Sequence, residues 1–355
     1  MISVDGFEFT TPHSSGGFSK IYIDTSRKVV LKRSNDAASR ECLVNEIRIY
    51  LHLQQHGCNC VPKLLFYEKK ENPYLILEIL GPSLDLVFDS CLGKWSYSTM
   101  HFVALSVLVI IKQIHSRSVV HGDIKPDNFA TKSKKIVALD FGLSFFYEDP
   151  LTKKHNQYHE SQSCLIGTLR YASLSNHFGI CYSRRDDIES FLYMMLYFNY
   201  AHVPWQHLED HSEIRECKEK LGPSMFENMG PMWKEFYSTV RNLTFEETID
   251  YDMWIELMGR ECVEGDHNAL YPTAKEALPL PVPVQVPVQV PSSIQKATDK
   301  VSTTPKMSNG AAEAETQVLA VKSPFNEPRT IFSTKSNTMR RRKTINSLII
   351  KDSVY

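Results

Sequence analysis

The apolar positions of this chain change period along its length, and each change predicts an element. Val29-Val30-Leu31 is a short continuous apolar run that ends at Lys32, the pattern of a buried strand carrying one basic side chain. From Leu43 to Leu51 the period becomes helical: Leu43, Ile47, Tyr50 and Leu51 share a face, and Glu46 lies among them. Phe129-Ala-Thr131 and Ile136-Val-Ala-Leu139 flank the polar turn Lys132-Ser-Lys-Lys135, which predicts a short hairpin. The longest apolar run, Phe102 to Ile114, is interrupted by Ser106, Lys112 and Gln113. It falls short of the ~20 residues that cross a bilayer, so a buried helix starting near Ser98 is expected and no transmembrane segment. Trp233 to Val240 and Tyr251 to Met258 repeat large apolar residues at helical spacing and predict the last helices of a body ending near residue 265.

Beyond Tyr271-Pro272 the pattern is different in kind. Pro alternates with apolar residues from Leu278 to Pro291, a strand-like period that cannot be a strand inside a sheet, because each Pro removes a ladder donor. Extended polyproline II is the physical solution, and it makes a stiff spacer. The Ser-, Thr-, Lys- and Asn-rich residues that follow are expected to be disordered. The chain thus divides into a body (1–265), a Pro/Val-rich linker (266–292) and a basic tail (293–355).

Charge sharpens this division. Residues 1–275 hold 29 Lys and Arg against 35 Asp and Glu, and residues 276–355 hold 11 against 6. An acidic body with no basic, aromatic-interleaved surface gives no strong nucleic-acid signal. In the tail, Arg340 to Lys343 precede Thr344 and Ser347, two candidate phosphoacceptors. The basic cluster suits nuclear import, with anionic-surface or nucleic-acid contact as alternatives. A cationic tail on an acidic body also suits autoinhibition or a tail-mediated partner. Eight Cys without a basic-then-apolar N-terminus point to a reducing compartment, cytoplasmic and/or nuclear. His52, His56, Cys58 and Cys60 match no zinc spacing, and a monomer is expected.

Two short segments carry chemistry. His121-Gly122-Asp123-Ile124-Lys125-Pro126-Asp127-Asn128 is followed, one predicted hairpin later, by Asp140-Phe141-Gly142. Together they hold most parts of a phosphoryl-transfer site: Asp123 to accept the proton of an attacking hydroxyl, Lys125 beside the moving phosphate, and Asn128 and Asp140 to hold Mg2+. Upstream, Lys32 suits contact with the α and β phosphates of ATP, and Glu46 suits an ion pair with Lys32.

Gly81-Pro82-Ser83-Leu84, the Gly167-to-Ser173 segment and Ser183-Arg184-Arg185-Asp186-Asp187-Ile188-Glu189-Ser190 resemble the casein kinase 1 group of Ser/Thr protein kinases over roughly residues 5–262. Asp149 to His155 resemble that group's activation segment, while Gly122 looks like the vaccinia-related kinases. The resemblance implies an α+β, two-lobed kinase fold, with an N-lobe (1–80) that is β-rich and has one main helix, and a helical C-lobe (81–265). It implies ATP between the lobes, protein substrates, Leu77 as gatekeeper, and Glu78 to Leu80 as a hinge whose backbone binds adenine. Asp187 would support the catalytic loop from a central helix, and Thr168 would bond Asp123, which with Lys125 points to Ser/Thr acceptors. With Gly122 where most kinases have Arg, nothing there can hold a loop phosphate, so no activating phosphorylation is expected.

Two departures from the family pattern bear on activity. The phosphate-covering loop, where glycines let amides approach a phosphate, reads Ser14, Gly16, Gly17, Phe18 and Ser19, with only the central family glycine kept. That favours weakened ATP binding, and its extreme is a pseudokinase scaffold. The family binds a substrate's priming phosphate through the residue matching Arg170 and a Lys from a basic stretch after Pro-Trp. Here the residues after Pro204-Trp205 are acidic, leaving Arg215 or Lys218 as the substitute cation, and an acidic rim repels phosphorylated substrates.

Overall fold

The apolar run at Val29–Leu31 forms the centre of a sheet, which explains why it is continuous instead of alternating. The protein is seen in a computed structural model that describes residues 2–4, 6–9, 12–15, 19–34, 36–70, 72–161, 165–261, 320–322 and 328–330. A small antiparallel ladder of β1 (Ile2–Val4) and β2 (Phe7–Phe9) comes first. Then β3 (Pro12–Ser15), β4 (Ser19–Asp24), β5 (Val29–Ser34), β6 (Leu64–Glu68) and β7 (Tyr74–Glu78) form an antiparallel sheet in the order β3-β4-β5-β7-β6, with α1 (Ala37–Gln55) inserted after β5. Val29 and Leu31 pack with Phe9, Tyr22 and Ile76 on one face of the sheet. Val30 packs with Ile21 on the other, the face Lys32 shares by the two-residue period of a strand.

Helix α1 begins with a capping box in which Asp36 and Ser39 each accept from the other's backbone N–H, at 2.8 and 3.0 Å. Leu43, Ile47 and Tyr50 are buried as the period predicts, but so are Ile49 and Leu53, while Leu51 is half-buried. The burial is wider than one stripe because α1 packs on the sheet and also meets the chain around Phe141.

The rest of the body is helical. It runs through α2 (Leu84–Ser90), α3 (Tyr97–His115), β8 (Val119–Val120), a 3₁₀ turn at Pro126–Asn128, β9 (Phe129–Lys132), β10 (Lys135–Ala138), β11 (Phe145–Phe146), α4 (Leu174–His177), α5 (Arg184–Tyr200), α6 (His211–Glu219), α7 (Pro231–Arg241) and α8 (Tyr251–Glu261). The expected hairpin is β9–β10, in register from Lys132↔Lys135 to Phe129↔Ala138. Helix α3 is capped by Ser96, whose Oγ accepts from Thr99 N–H at 3.1 Å, so it starts one residue before the expected Ser98. It is long and apolar enough to cross a membrane, yet its apolar side chains pack into the main core with those of α5 and α8. Every side chain of α5 from Asp186 to Phe198 is buried, making it the pillar of this region. A β-rich N-terminal region with one principal helix, followed by a helical C-terminal region, is the α+β, two-lobed fold expected.

Helix α8 ends at Glu261. The expected boundary at 265, the linker 266–292, Arg340 to Lys343, Thr344 and Ser347 lie outside the described residues. Within the tail expected to be disordered, the described residues form one short antiparallel pair, β12 (Ala320–Lys322) with β13 (Pro328–Thr330). Of the His/Cys group, His52 Nε2 lies 2.8 Å from Arg117 O and His56 Nδ1 lies 2.8 Å from His52 O. The free thiols of Cys58 and Cys60 are 3.0 Å apart.

Candidate active site

The loop 121–128 leaves β8 and is hung from α5 by one carboxylate. Asp187 Oδ2 accepts from His121 N–H at 2.7 Å and His115 Nε2–H at 2.8 Å, and Oδ1 from Gly122 N–H at 3.0 Å and Tyr182 OH at 2.8 Å. Burial alone would raise this carboxyl, but the bonds from His115 and the His121 amide outweigh it and hold Asp187 below the usual carboxylate range. The sequence placed Asp187 near this loop; its second pair of partners, His115 and Tyr182, carried no local signal.

Gly122 is at φ +81°, and a Cβ there would lie 2.7 Å from Leu143 O. The glycine is therefore a backbone requirement as well as the loss of an arginine. Gly122→Ala is expected to lose about 1–3 kcal/mol of stability to left-handed strain and the clash, read as a lowered denaturation midpoint. An unchanged midpoint would mean that the loop relaxes freely.

Asp123 is oriented from four directions. Its Oδ1 accepts from Thr168 N–H at 2.9 Å and Thr168 Oγ1 at 2.8 Å. Its Oδ2 accepts from Asn128 Nδ2 at 3.1 Å and pairs with Lys125 Nζ at 2.6 Å. Lys125 also donates to Thr168 Oγ1 at 3.0 Å. Burial opposes the charge on Lys125, but Asp123 outweighs it and lifts its pKa. Four residues predicted from two distant segments thus form one polar cluster.

A second cluster joins the sheet to α1. Lys32 Nζ lies 2.6 Å from Glu46 Oε2 and 2.9 Å from Asp140 Oδ1. Burial disfavours the ammonium, yet Asp140 and Glu46 together hold its pKa well above the ordinary lysine value. Asp140 is held low by Lys32 in spite of its own burial. Beside Glu46, Asn45 Nδ2 donates to Ser144 O at 2.7 Å and Gly142 O at 3.2 Å, pinning the chain after Asp140 to α1. Tyr50, one helical turn beyond Glu46, meets Phe141 edge-on at 5.1 Å, and Phe141 lies 4.9 Å from the His121 ring. An unbroken chain of contacts therefore runs from α1 through Phe141 and His121 to Asp187 and α5. Sequence reading missed Asn45 and the edge-on contact of Tyr50, because helical periodicity does not tell a core residue from one that makes a specific contact.

Between the clusters the walls are apolar. Ile21, Val30 and Ile79 form one small cluster, and Leu80, Ala130, Val137 and Leu139 form another, on either side of the connection that follows β7. Leu77 is buried in β7. Glu78 is the last residue of that strand, and Ile79 and Leu80 follow it. The Glu78, Ile79 and Gly81 amides donate to Lys63 O, Lys28 O and Thr131 O at 3.1, 2.9 and 2.8 Å. The Leu80 amide has no protein acceptor among the described residues. A Cβ on Gly81 would lie 2.3 Å from Thr131 Oγ1 and 3.1 Å from Thr131 O, so a side chain there displaces Thr131. Ser19 is 2 % exposed, shares the Ile21 side of β4, and its Oγ has no partner among the described residues. Ser14 lies in β3, and Gly16, Gly17 and Phe18 fall outside the described residues.

Asn128 is 1 % exposed, and its Oδ1 is buried with no partner among the described residues, while its Nδ2 donates to Asp123 O at 2.8 Å. An orphaned amide oxygen in the same site as the Asp140 carboxylate is the donor set a hard, oxygen-seeking divalent cation takes. The residues present fit such an ion.

Of the cations expected on the substrate side, Arg170 and Arg215 are half-buried and Lys218 is buried. Arg170 is half-buried and acts on Asp85, whose carboxyl is pushed up to about 7 by burial and then by Asp127 and Asp89. Arg215 lies over the Phe178 ring at 5.3 Å and 3.7 Å from Glu219. Lys218 is fully buried and turned inward onto Leu169 O, Ala172 O and His177, so it cannot serve as the exposed substitute cation. A family model described as "Protein kinase domain" matches residues 15–253.

Proposed function

Because this chain belongs to the protein kinase family, which its match over more than half the sequence shows, we propose that it is an active, ATP-dependent Ser/Thr kinase of the casein kinase 1 type. The observation that carries this reading is the Lys32–Glu46–Asp140 cluster, complete at 2.6 and 2.9 Å. A scaffold that had abandoned catalysis has no need to hold two carboxylates on a buried ammonium, since such burial is costly unless every partner is present.

The chain's own residues have the following parts in this reading. Ile21, Val30, Leu80, Ala130 and Leu139 shelter a flat apolar base, and the Leu80 amide supplies a directional hydrogen bond. Lys32, kept charged, meets nucleotide phosphates. Asn128 and Asp140 hold a divalent cation, Mg2+ in our reading, which when bound neutralises charge developing on the transferred group. Asp123 accepts the proton from the acceptor hydroxyl; Thr168 and Asn128 fix its two oxygens so that no reorganisation is needed during transfer. Lys125 bridges Asp123 and Thr168, where its charge faces a phosphoryl group in flight. Arg170 shares its neighbourhood with three carboxylates, so we expect no strong preference for phosphate-primed sites.

The pseudokinase alternative rests on the substituted glycine loop. Transfer of labelled phosphate to casein and to the protein itself, with a thermal shift by ATP in the presence and absence of Mg2+, separates the two. We expect transfer and an Mg2+-dependent upward shift. A shift without transfer would establish the scaffold.

A further inference from the structure

Lys218 on α6 has no part in the chemistry above, yet it is 0 % exposed on a helix whose other residues, Ile214 apart, reach solvent. Its Nζ donates to Leu169 O at 2.8 Å and Ala172 O at 2.6 Å, and lies 3.0 Å from His177 Nε2. The ammonium stands over the Tyr193 and Trp205 rings at 4.8 and 5.1 Å. Trp205 Nε1–H donates in turn to Arg170 O at 2.7 Å. Three of the four carbonyls from Leu169 to Ala172 are therefore held by side chains from outside the segment. This stretch immediately follows Thr168, which holds Asp123, and it belongs to no helix or strand, so its carbonyls depend on such donors.

We propose that Lys218 is a positioning residue for the protein substrate, holding Leu169–Ala172 at the depth where an acceptor segment brings its hydroxyl to Asp123. The proposal rests on the kinase reading and adds to it the element that seats the acceptor. Arg170, half-buried at the centre of the segment, is the side chain whose placement depends most directly on this anchoring.

The surroundings let the anchor change charge without losing a bond. His177 Nδ1 lies 2.9 Å from His211 Nε2, and His211 is half-buried at the start of α6. Charged Lys218 gives three protons, to two carbonyls and to His177 Nε2. Neutral Lys218 keeps both carbonyls and accepts from His177 Nε2–H, while His177 Nδ1 accepts from His211. Burial pushes the lysine down to about 7, with Glu189 on α5 opposing. Glu189 is itself paired with Arg241 at 2.7 Å and accepts from Tyr193 OH at 2.5 Å. His177 on α4 is lowered to about 3 by burial and then by Lys218, so it stays neutral. Arg215 and Asp210, with His211, are the other charged groups facing this chain of protons. Charge-assisted bonds to carbonyls are the stronger ones, so the anchor is firm below pH 7 and slackens above it.

The test compares wild type, Lys218→Met and Lys218→Arg in steady-state kinetics, with casein and ATP varied separately. Lys218→Met, which loses both carbonyl bonds, is expected to raise the KM for casein by roughly tenfold or more, the worth of at least one hydrogen bond to a charged group, with the KM for ATP unchanged. Wild type should show a KM for casein that rises between about pH 6 and about pH 8, and Lys218→Arg, permanently charged, should not. An equal rise in both Michaelis constants, or the same pH dependence in wild type and Lys218→Arg, would overturn the proposal. Hydrogen exchange of residues 168–173 in the wild-type protein, corrected for intrinsic rates, needs neither catalysis nor a variant. Faster exchange at about pH 8 than at about pH 6 is expected, and equal exchange would overturn the proposal even if no phosphate transfer were found.

Discussion

Asp123→Asn should fold normally, bind nucleotide normally and transfer phosphate about 10²–10⁴-fold more slowly than the wild type, the usual worth of a positioned general base. The substitution is nearly isosteric, and the amide oxygen can still accept from Thr168 Oγ1 and the Thr168 amide, which lie 2.8 and 2.9 Å from Oδ1. What disappears is the ability to take a proton, and with it the Oδ2 acceptor that meets Lys125 at 2.6 Å and Asn128 Nδ2 at 3.1 Å, the latter keeping its bond to Asp123 O at 2.8 Å. The nucleotide walls and the Lys32–Glu46–Asp140 cluster are built from other elements and stay in place. Asp140→Asn is the companion: it keeps Asp123 but weakens the grip on the divalent cation, so its defect should be partly relieved by raising the metal concentration. Single-turnover transfer with saturating nucleotide measures both. If Asp123→Asn transferred at the wild-type rate, Asp123 would not be the base.

Removing Asp187 should have the largest effect on the fold. Asp187→Ala leaves the amides of His121 and Gly122, His115 Nε2 and Tyr182 OH without their acceptor in a site closed to water. Each buried donor left unmet costs about 1–3 kcal/mol, so several kcal/mol are lost together and activity goes with them. The pH dependence has a definite sign. The carboxyl of Asp187 is lower in the folded protein than in the unfolded chain, so its stabilisation is present above the ordinary carboxylate value and is lost as pH falls through the lower, folded value. Buried His115 is also lowered, chiefly by burial; its contribution begins to fall once pH drops below the ordinary histidine value, because only the unfolded chain then takes up the proton freely. Wild-type stability should therefore decline in two stages on acidification, and Asp187→Asn should lack the more acidic one. Chemical denaturation across that range checks this, and an unaltered acid limb in Asp187→Asn would assign it to other carboxylates.

Much of the architecture was legible in advance because it is local. The Val29–Leu31 run, the Leu43–Tyr50 face, the hairpin around Lys132–Lys135 and the helices ending with Tyr251–Glu261 are properties of neighbouring residues, and short-range periodicity reports them directly. The start of α3 was missed by one residue, Tyr97 in place of Ser98, since an element's end depends on which hydrogen bonds the surroundings supply. Gly122 could be read as a missing arginine, but not as a position closed to any side chain by Leu143 O, a contact made across the loop.

The sequence by itself determined which chemical groups this protein has and in what order: Lys32, Glu46, Asp123, Lys125, Asn128, Asp140, Thr168 and Asp187, spaced so that a strand, two helices and three connecting segments each carry their share. Only the tertiary structure decided what each group meets. It joined Lys32 to Asp140 across 108 positions and gave Asp187 His115 and Tyr182 as partners besides the 121–128 loop. It also turned Lys218 from a candidate surface cation into a buried anchor. The physical reason is that propensity and periodicity act over a few residues, whereas the partner and charge state of a buried polar group are set by whichever distant backbone or side chain the packing of the whole core brings within three ångströms.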